Sequence, residues 1–520
     1  MKKTLLLGAA CIFAGSMFAQ ESVEPSVIRD LITMGISTDG QTLITQDVLG
    51  NAVTYKPATK AQQYYAGNYI GNGNCLADNG MLAGQTMEGF AVLMKNGIVT
   101  IPTALNNVNS SFNAITADGT RVVGWMANPV VSQLIDVPIY CDISADGSVS
   151  DPVILPHPEK DFLGNIPQFV TAQCISDDGK TICGQVVDSD GMYTYPIVFI
   201  QEGDEWTYFL PSESLFNNSD EMPEWPEFDT PLPEPTDFMT PEEIAELQQA
   251  VNDGNSYWDV VFDFMTEEEI EEYLEAKSEY DAKVEEYYEL VDKYWEDMGK
   301  IYNGSNFQLG SITMNPEGTL IATPRLITDP DEGMTDVAIG YELCIIDPVA
   351  RTLSQKPSTT AGLAIPLQVL NNGTIVSVDP TTYANYLWLP DNEDYITLET
   401  YLESTNPGYL PWLEENLTRT TAIYNPDTQK YEQVNYIMGG MVFFSEDMSV
   451  MAGGMPIETD AYSYVYGVGS AAVEGLEAIE AEIYIVYNLQ GLKVLETSNK
   501  SQLKSLKGLY IVNGLKTFLK

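Results

Sequence analysis

The chain has 520 residues, with 24 Lys and Arg against 75 Asp and Glu, a formal net charge of −51 at pH 7. Only 19% of residues are charged while 44% are apolar and 10% aromatic, so the chain can bury a large core and global disorder is excluded. A surface of this sign is repelled by phosphate backbones and anionic lipid, which excludes nucleic-acid binding through a basic face.

At the N-terminus, Lys2 and Lys3 precede an apolar run from Leu5 to Phe13 and a small-residue region from Ala14 to Ala19. This is the pattern of a secretory signal peptide over 1–19. Gly8 stands three residues before Cys11, where a lipobox carries a bulky aliphatic residue, which speaks against lipidation. No later stretch approaches the roughly 20 apolar residues of a membrane helix, so no transmembrane span is expected.

The body repeats one phrase. It reads ISTDG from Ile36, ITADG from Ile115, ISDDG from Ile175 and FSEDM from Phe444, with looser copies at Leu76, Ile312 and Leu370. Asp39, Gly40, Asp118, Gly119, Asp178, Gly179 and Asp447 are its turn residues. Ser or Thr and Asp bond back to the local backbone, Gly accepts a positive φ, and an apolar run begins the return strand, so each copy predicts a hairpin. A glycine also follows nine residues after the first apolar position, at Gly124, Gly184 and Gly453. A second hairpin follows most copies, and two hairpins make a four-stranded unit of propeller-blade length.

These phrases resemble the extracellular propeller-like repeats whose blades carry an IS-x-DG turn. The resemblance covers 28–470 and implies an all-β fold, a β-propeller of six or seven four-stranded blades. It says little of function.

Residues 201–300 hold 31 Asp and Glu and four Lys, more than half of the net charge, and most of that block is an acidic insertion over 213–304. Its first part is proline-rich and reads as an irregular loop. Thr240, Pro241 and Glu243 then form one capping box, and Thr266 with Glu269 a second. The second helix is long, with an inward stripe that includes Tyr273, Tyr280, Tyr287 and Tyr294. That stripe is expected to dock on the shorter helix or on a blade edge, leaving the acidic face solvated.

After a linker at 471–482 the composition inverts: residues 483–520 hold six lysines and one acid, Glu496. Strand and turn signals make this a small β module. YNLQGLKVL at 487–495 and LKGLYIVNGLKTFLK at 506–520 resemble the C-terminal sorting module read by the type IX secretion machinery. The resemblance rests on Asn488, Gly491, Gly508, Tyr510, Asn513 and Gly514. It implies the outer-membrane secretion machinery as a partner, and an extracellular or outer-membrane surface location reached through the periplasm.

The chemistry is thin. His157 is the only histidine, set in LPHPEK between two prolines, with no G-x-S-x-G near it, so no Ser-His-Asp or Cys-His site is expected. Protein-ligated zinc lacks its ligands, and no Walker loop or dinucleotide fingerprint occurs. No catalytic, cofactor-binding or metal-binding residue and no cofactor is assigned from sequence. The repeated aspartates are explained by turn chemistry. The reading is therefore a secreted or surface-attached, non-enzymatic binding or scaffolding protein for a glycan or protein ligand. The alternative is a propeller-type hydrolase or lyase that uses paired carboxylates on a neutral polysaccharide.

With Cys11 removed, five cysteines remain: Cys75, Cys141, Cys174, Cys183 and Cys344. Cys174 and Cys183 lie on the two arms of one hairpin. A two-residue turn at Asp178-Gly179 makes them face each other at a non-hydrogen-bonded pair; a three-residue turn slips one to the opposite face. Asn315-Pro316-Glu317-Gly318 in a sister repeat favours the second geometry.

Overall fold

Each of the seven copies of the repeated phrase joins the first two strands of an antiparallel unit. A computed structural model of the chain describes residues 24–71, 73–130, 135–216, 223–302, 306–328, 338–425, 430–437, 440–457, 460–467, 484–487, 493–497, 508–512 and 515–519. The expected signal peptide, the linker, and Asn488, Gly491, Asn513 and Gly514 lie outside the described residues.

Unit I comprises Leu31–Ile36, Leu43–Asp47, Ala52–Lys56 and Ala61–Tyr65, and unit II Asn68–Ile70, Leu82–Thr86, Ala91–Lys95 and Ile98–Thr100. Unit III is Ser110–Ile115, Arg121–Ala127, Asp136–Asp142 and the two-residue Val153–Ile154. It continues into unit IV (Phe169–Ile175, Thr181–Val187, Thr194–Glu202, Glu205–Phe209) through one parallel pairing, Asp136 with Phe169. Unit V is Thr313–Met314, Ile321–Thr328, Ala338–Asp347 and Thr352–Lys356, and unit VI Ile365–Val369, Ile375–Val378, Asn385–Trp388 and Ile396–Thr397. Unit VII has Met441–Phe444, Val450–Ile457 and Asp460–Gly467 from late in the chain, and takes its fourth strand from the other end of it. Ser26–Arg29 pairs antiparallel with Tyr462 to Val465.

The glycine nine residues into three of the phrases has a local cause, seen in two of them. In units III and IV the inner strand bulges, with the register shifting just after Phe112 and just after Ala172, and Gly124 and Gly184 are the partners of those two residues. A Cβ on Gly184 would lie 1.8 Å from the Thr171 carbonyl oxygen, and one on Gly124 1.8 Å from that of Ser111. The bulge brings the neighbouring strand too close for any side chain.

Side-chain amides and hydroxyls bond to the backbone of the next unit. Gln368 donates to the Phe444 carbonyl at 2.7 Å and accepts from the Phe444 N–H at 2.9 Å. Asn385 does the same with Gly440 and Val442. Gln185 donates to the Gln308 carbonyl, and Ser463 to that of Leu31, which ties unit VII to unit I. Apolar faces pack between units; Leu31, Leu43 and Val53 of unit I meet Val450 and Val465 of unit VII. Each inner surface is buried only against its neighbours, as the hydrophobic term requires of strands apolar on both faces.

Cys174 and Cys183 are direct partners across their strands and both are buried. The favoured three-residue turn is thus corrected: the connection is the four residues Asp177 to Lys180, an even number, so no side chain changes face. The Ser176 N–H donates to Thr181, and alternation then makes Cys174 and Cys183 a hydrogen-bonded pair rather than the closer kind. Both thiols are free, as are those of Cys75, Cys141 and Cys344.

Between units IV and V run the helices Pro241–Asn252 and Glu267–Tyr302, the first with its Thr240 and Glu243 capping box formed. Thr266 and Glu269 exchange the same pair of bonds. The tyrosine stripe is covered chiefly by the proline-rich segment before the helices. Phe228 packs 5.1 Å from Tyr287 and 5.7 Å from Tyr280, and Trp225 4.9 Å from Tyr294. A second insertion, absent from the sequence reading, places the helices Leu398–Thr405 and Tyr409–Leu417 and the hairpin Thr418–Asn425 with Lys430–Ile437 between units VI and VII. Residues near the C-terminus form a four-stranded antiparallel sheet ordered Lys493–Thr497, Tyr484–Tyr487, Gly508–Val512, Leu515–Leu519. Gly508 and Tyr510 lie in its third strand. Among the described residues no helix is long and apolar enough to cross a membrane.

Candidate functional site

The repeated turn fixes what each of its residues can do. In unit IV the Ser176 hydroxyl donates to the Asp178 carboxylate at 2.7 Å, which also accepts the Lys180 N–H at 3.0 Å. Gly179 closes the turn at φ 72°. Asp39 accepts from Ser37 and Gln41, Asp118 from Thr116 and Thr120, and Asp447 from Ser445 and Ser449 in the same way. Gly40 and Gly119 adopt the same positive φ, and Met448 takes that place in unit VII. All seven turn residues singled out from sequence are occupied in holding their own turns together.

The residue between Ser and Asp has no such duty. Across the seven copies it is Thr38, Asp78, Ala117, Asp177, Pro316, Asn371 and Glu446. Its backbone links one turn to the next: Asp78 N–H donates to Ala117 O at 2.8 Å, Asp177 to Pro316 at 2.7 Å, and Glu446 to Thr38 at 2.9 Å. Three of these seven positions carry a carboxyl. Sequence reasoning missed Asp78, Asp177 and Glu446 because attention went to the constant residues of the phrase; aligning the copies on their glycines exposes the variable one.

These residues border a cavity of about 320 Å³. It is lined by the inner strands, or the turns that follow them, of all seven units, including Met34, Ile115, Gln368 and Phe443, with Ile44 and Gln46 from the second strand of unit I. Every inner strand runs toward its turn, so the three carboxyls gather at one end of the cavity, with Met34, Ile70 and Met441 toward the other. No lysine, arginine or histidine is among the lining residues.

Crowding alters the acids. Asp177 is exposed at the cavity mouth; the partial desolvation it meets there, reinforced by the charges of Asp78, Asp118, Asp178 and Glu317, raises it to about 6. Glu446 is half-buried. Burial raises it to about 7, against the Asn371 N–H that its carboxylate accepts, and Asp177, Glu317 and Asp447 add to the rise. Both carboxyls are thus shifted toward neutral pH, the range in which acid–base groups work.

His157 stands apart. Its Nδ1 lies 2.8 Å from the Leu155 carbonyl, and it does not line the cavity. Among the described residues no cluster of three or more His, Cys, Asp or Glu is arranged to hold a metal ion.

No family model and no curated protein matches the chain. Among solved structures it is similar to hydrazine synthase from Kuenenia stuttgartiensis, at 9% identity and a TM-score of 0.41, over 83% of this chain and 95% of that one. It is also similar to an oligogalacturonate lyase from Vibrio parahaemolyticus, at 9% identity and a TM-score of 0.38, over 86% of this chain and 92% of that one. Likeness at these scores carries neither substrate nor reaction across. The expectation of a non-enzymatic binding or scaffolding protein is nonetheless corrected. Three carboxyls that the sequence left without chemistry, those of Asp78, Asp177 and Glu446, border one cavity.

Proposed function

We propose that this protein is a glycoside hydrolase acting on a neutral polysaccharide at the carboxyl-bearing end of the cavity. The observation that carries the proposal is that Asp78, Asp177 and Glu446 border one mouth of the cavity, where crowding raises Asp177 and Glu446 above ordinary carboxyls. Glu446, the more buried of the two, serves as the general acid that gives its proton to the departing glycosidic oxygen, and the exposed Asp177 as base or nucleophile. Asp78 adds negative charge that stabilises a positive oxocarbenium-like centre. A lyase acting on uronates is the weaker reading. It would have to neutralise a substrate carboxylate, and the lining residues include no cation. A chain of −51 also repels polyanions.

The seven units are best read as the blades of a closed β-propeller. That reading is supported by the N-terminal strand completing unit VII, the Ser463 bond to Leu31, and a cavity bordered by the inner strand or the following turn of every unit. Export through a cleaved signal peptide at 1–19, followed by type IX secretion read from the C-terminal module, belongs to the same proposal. It is supported by the residue patterns at both ends of the chain. The working location is then the cell surface or the medium, with the outer-membrane secretion machinery as partner.

The test is reducing-end release from a panel of neutral polysaccharides by wild-type protein, Glu446→Gln and Asp177→Asn. Turnover by the wild type, lost in both variants while their thermal unfolding is retained, supports the reading. Turnover that survives both changes, or none by the wild type on any neutral glycan, refutes it.

A further inference from the structure

Resting on the hydrolase reading, we infer that the cavity admits only the end of a glycan chain, so cleavage releases units of one or two sugars from a terminus. Enzymes that cut inside a chain need a groove open on two sides, through which the polymer passes. Here each of the seven units contributes its inner strand or the turn after it to the lining. The wall therefore surrounds the axis along which the strands run, and entry is along that axis. Backbone bonds between successive turns, from Asp78 to Ala117, Asp177 to Pro316 and Glu446 to Thr38, join much of the rim on which the carboxyls sit. Opening a lateral cleft would break them.

Size leads to the same conclusion. About 320 Å³ lies at the small end of the roughly 300–1,000 Å³ range of small-molecule sites. That is room for a terminal unit and little more. The space beyond the carboxyls is bordered by Met34, Ile44, Ile70 and Met441, with the amide of Gln46. Apolar walls suit the C–H faces of a neutral sugar, and an amide suits its hydroxyls. Since the carboxyls stand at the mouth, the bond they reach joins the enclosed unit to the chain outside.

Polymers and short end-labelled oligosaccharides of the xylan, mannan, β-1,4-glucan and β-1,3-glucan series would be followed by chromatography and by viscosity. The expected result is a mono- or disaccharide as the first product, taken from one labelled end, while polymer viscosity barely falls. Internal fragments with an early drop in viscosity, dependent on Glu446, overturn the chain-end inference and leave the hydrolase reading standing. No turnover of any member overturns that reading, and this inference with it. Met34→Trp fills the deep part of the cavity and leaves every carboxyl in place. It should lower kcat/KM about tenfold or more, with thermal unfolding checked alongside; a folded variant of undiminished activity overturns the inference.

Discussion

Replacing Glu446 by glutamine should stabilise the protein above neutral pH and do nothing to it in acid. The folded chain holds the Glu446 proton up to about 7, whereas the unfolded chain releases it near the ordinary 4.5. Between those values the native state binds more protons than the unfolded state, so stability falls as pH rises through the window. At roughly 1.4 kcal/mol per pKa unit the shift sets a ceiling of about 3 kcal/mol, which water at the cavity mouth lowers to roughly 1–2 kcal/mol. Glutamine keeps an oxygen to accept the Asn371 N–H and removes the charge that Asp177 and Glu317 oppose. Thermal unfolding at pH 8 should rise by about 1–3 °C in Glu446→Gln, and at pH 4 the two proteins should melt together. Equal shifts at both pH values, or a loss at pH 8, would refute the idea that a crowded ionised carboxylate strains this turn.

Gly184→Ala should abolish soluble folding or lower the melting temperature severely, because the added Cβ falls 1.8 Å from the Thr171 carbonyl oxygen; expression and circular dichroism would show it. Gln368→Ala leaves the Phe444 N–H and carbonyl without their side-chain partner, at a cost of about 1–3 kcal/mol for each buried group, measured by denaturant midpoint. Titration of the denatured, unreduced mature protein should find five thiols, as the free side chains of Cys75, Cys141, Cys174, Cys183 and Cys344 require; three would mean that Cys174 and Cys183 bond across their strands.

Much of the fold was written locally. The Ser-x-Asp-Gly phrase specifies its own turn through bonds spanning no more than five residues, so all seven turns, and the strands on either side, could be read directly. Capping boxes at Thr240 and Thr266 are local in the same sense. What escaped was long-range. Nothing in Ser26–Arg29 announces a partner more than 430 residues later, and the even length of the turn that puts Cys174 opposite Cys183 was not readable from its sister repeat. The proline-rich segment gave no sign that Trp225 and Phe228 would cover the tyrosine stripe. As for the site, its acids lay in view but at the variable position of the repeat, where Asp78, Asp177 and Glu446 stand among Thr, Ala, Pro and Asn. Only convergence on one cavity gives them meaning, and convergence is a property of the assembled sheets.

The central claim is that Asp177 and Glu446 divide the roles of base and acid, and the pH dependence of kcat/KM on a neutral glycan tests it most directly. The account predicts a narrow bell with limbs near 6 and 7, the acid limb moved by Asp177→Asn and the alkaline limb by Glu446→Gln in whatever activity remains. A profile flat across that range, or one whose limbs neither substitution moves, would contradict it.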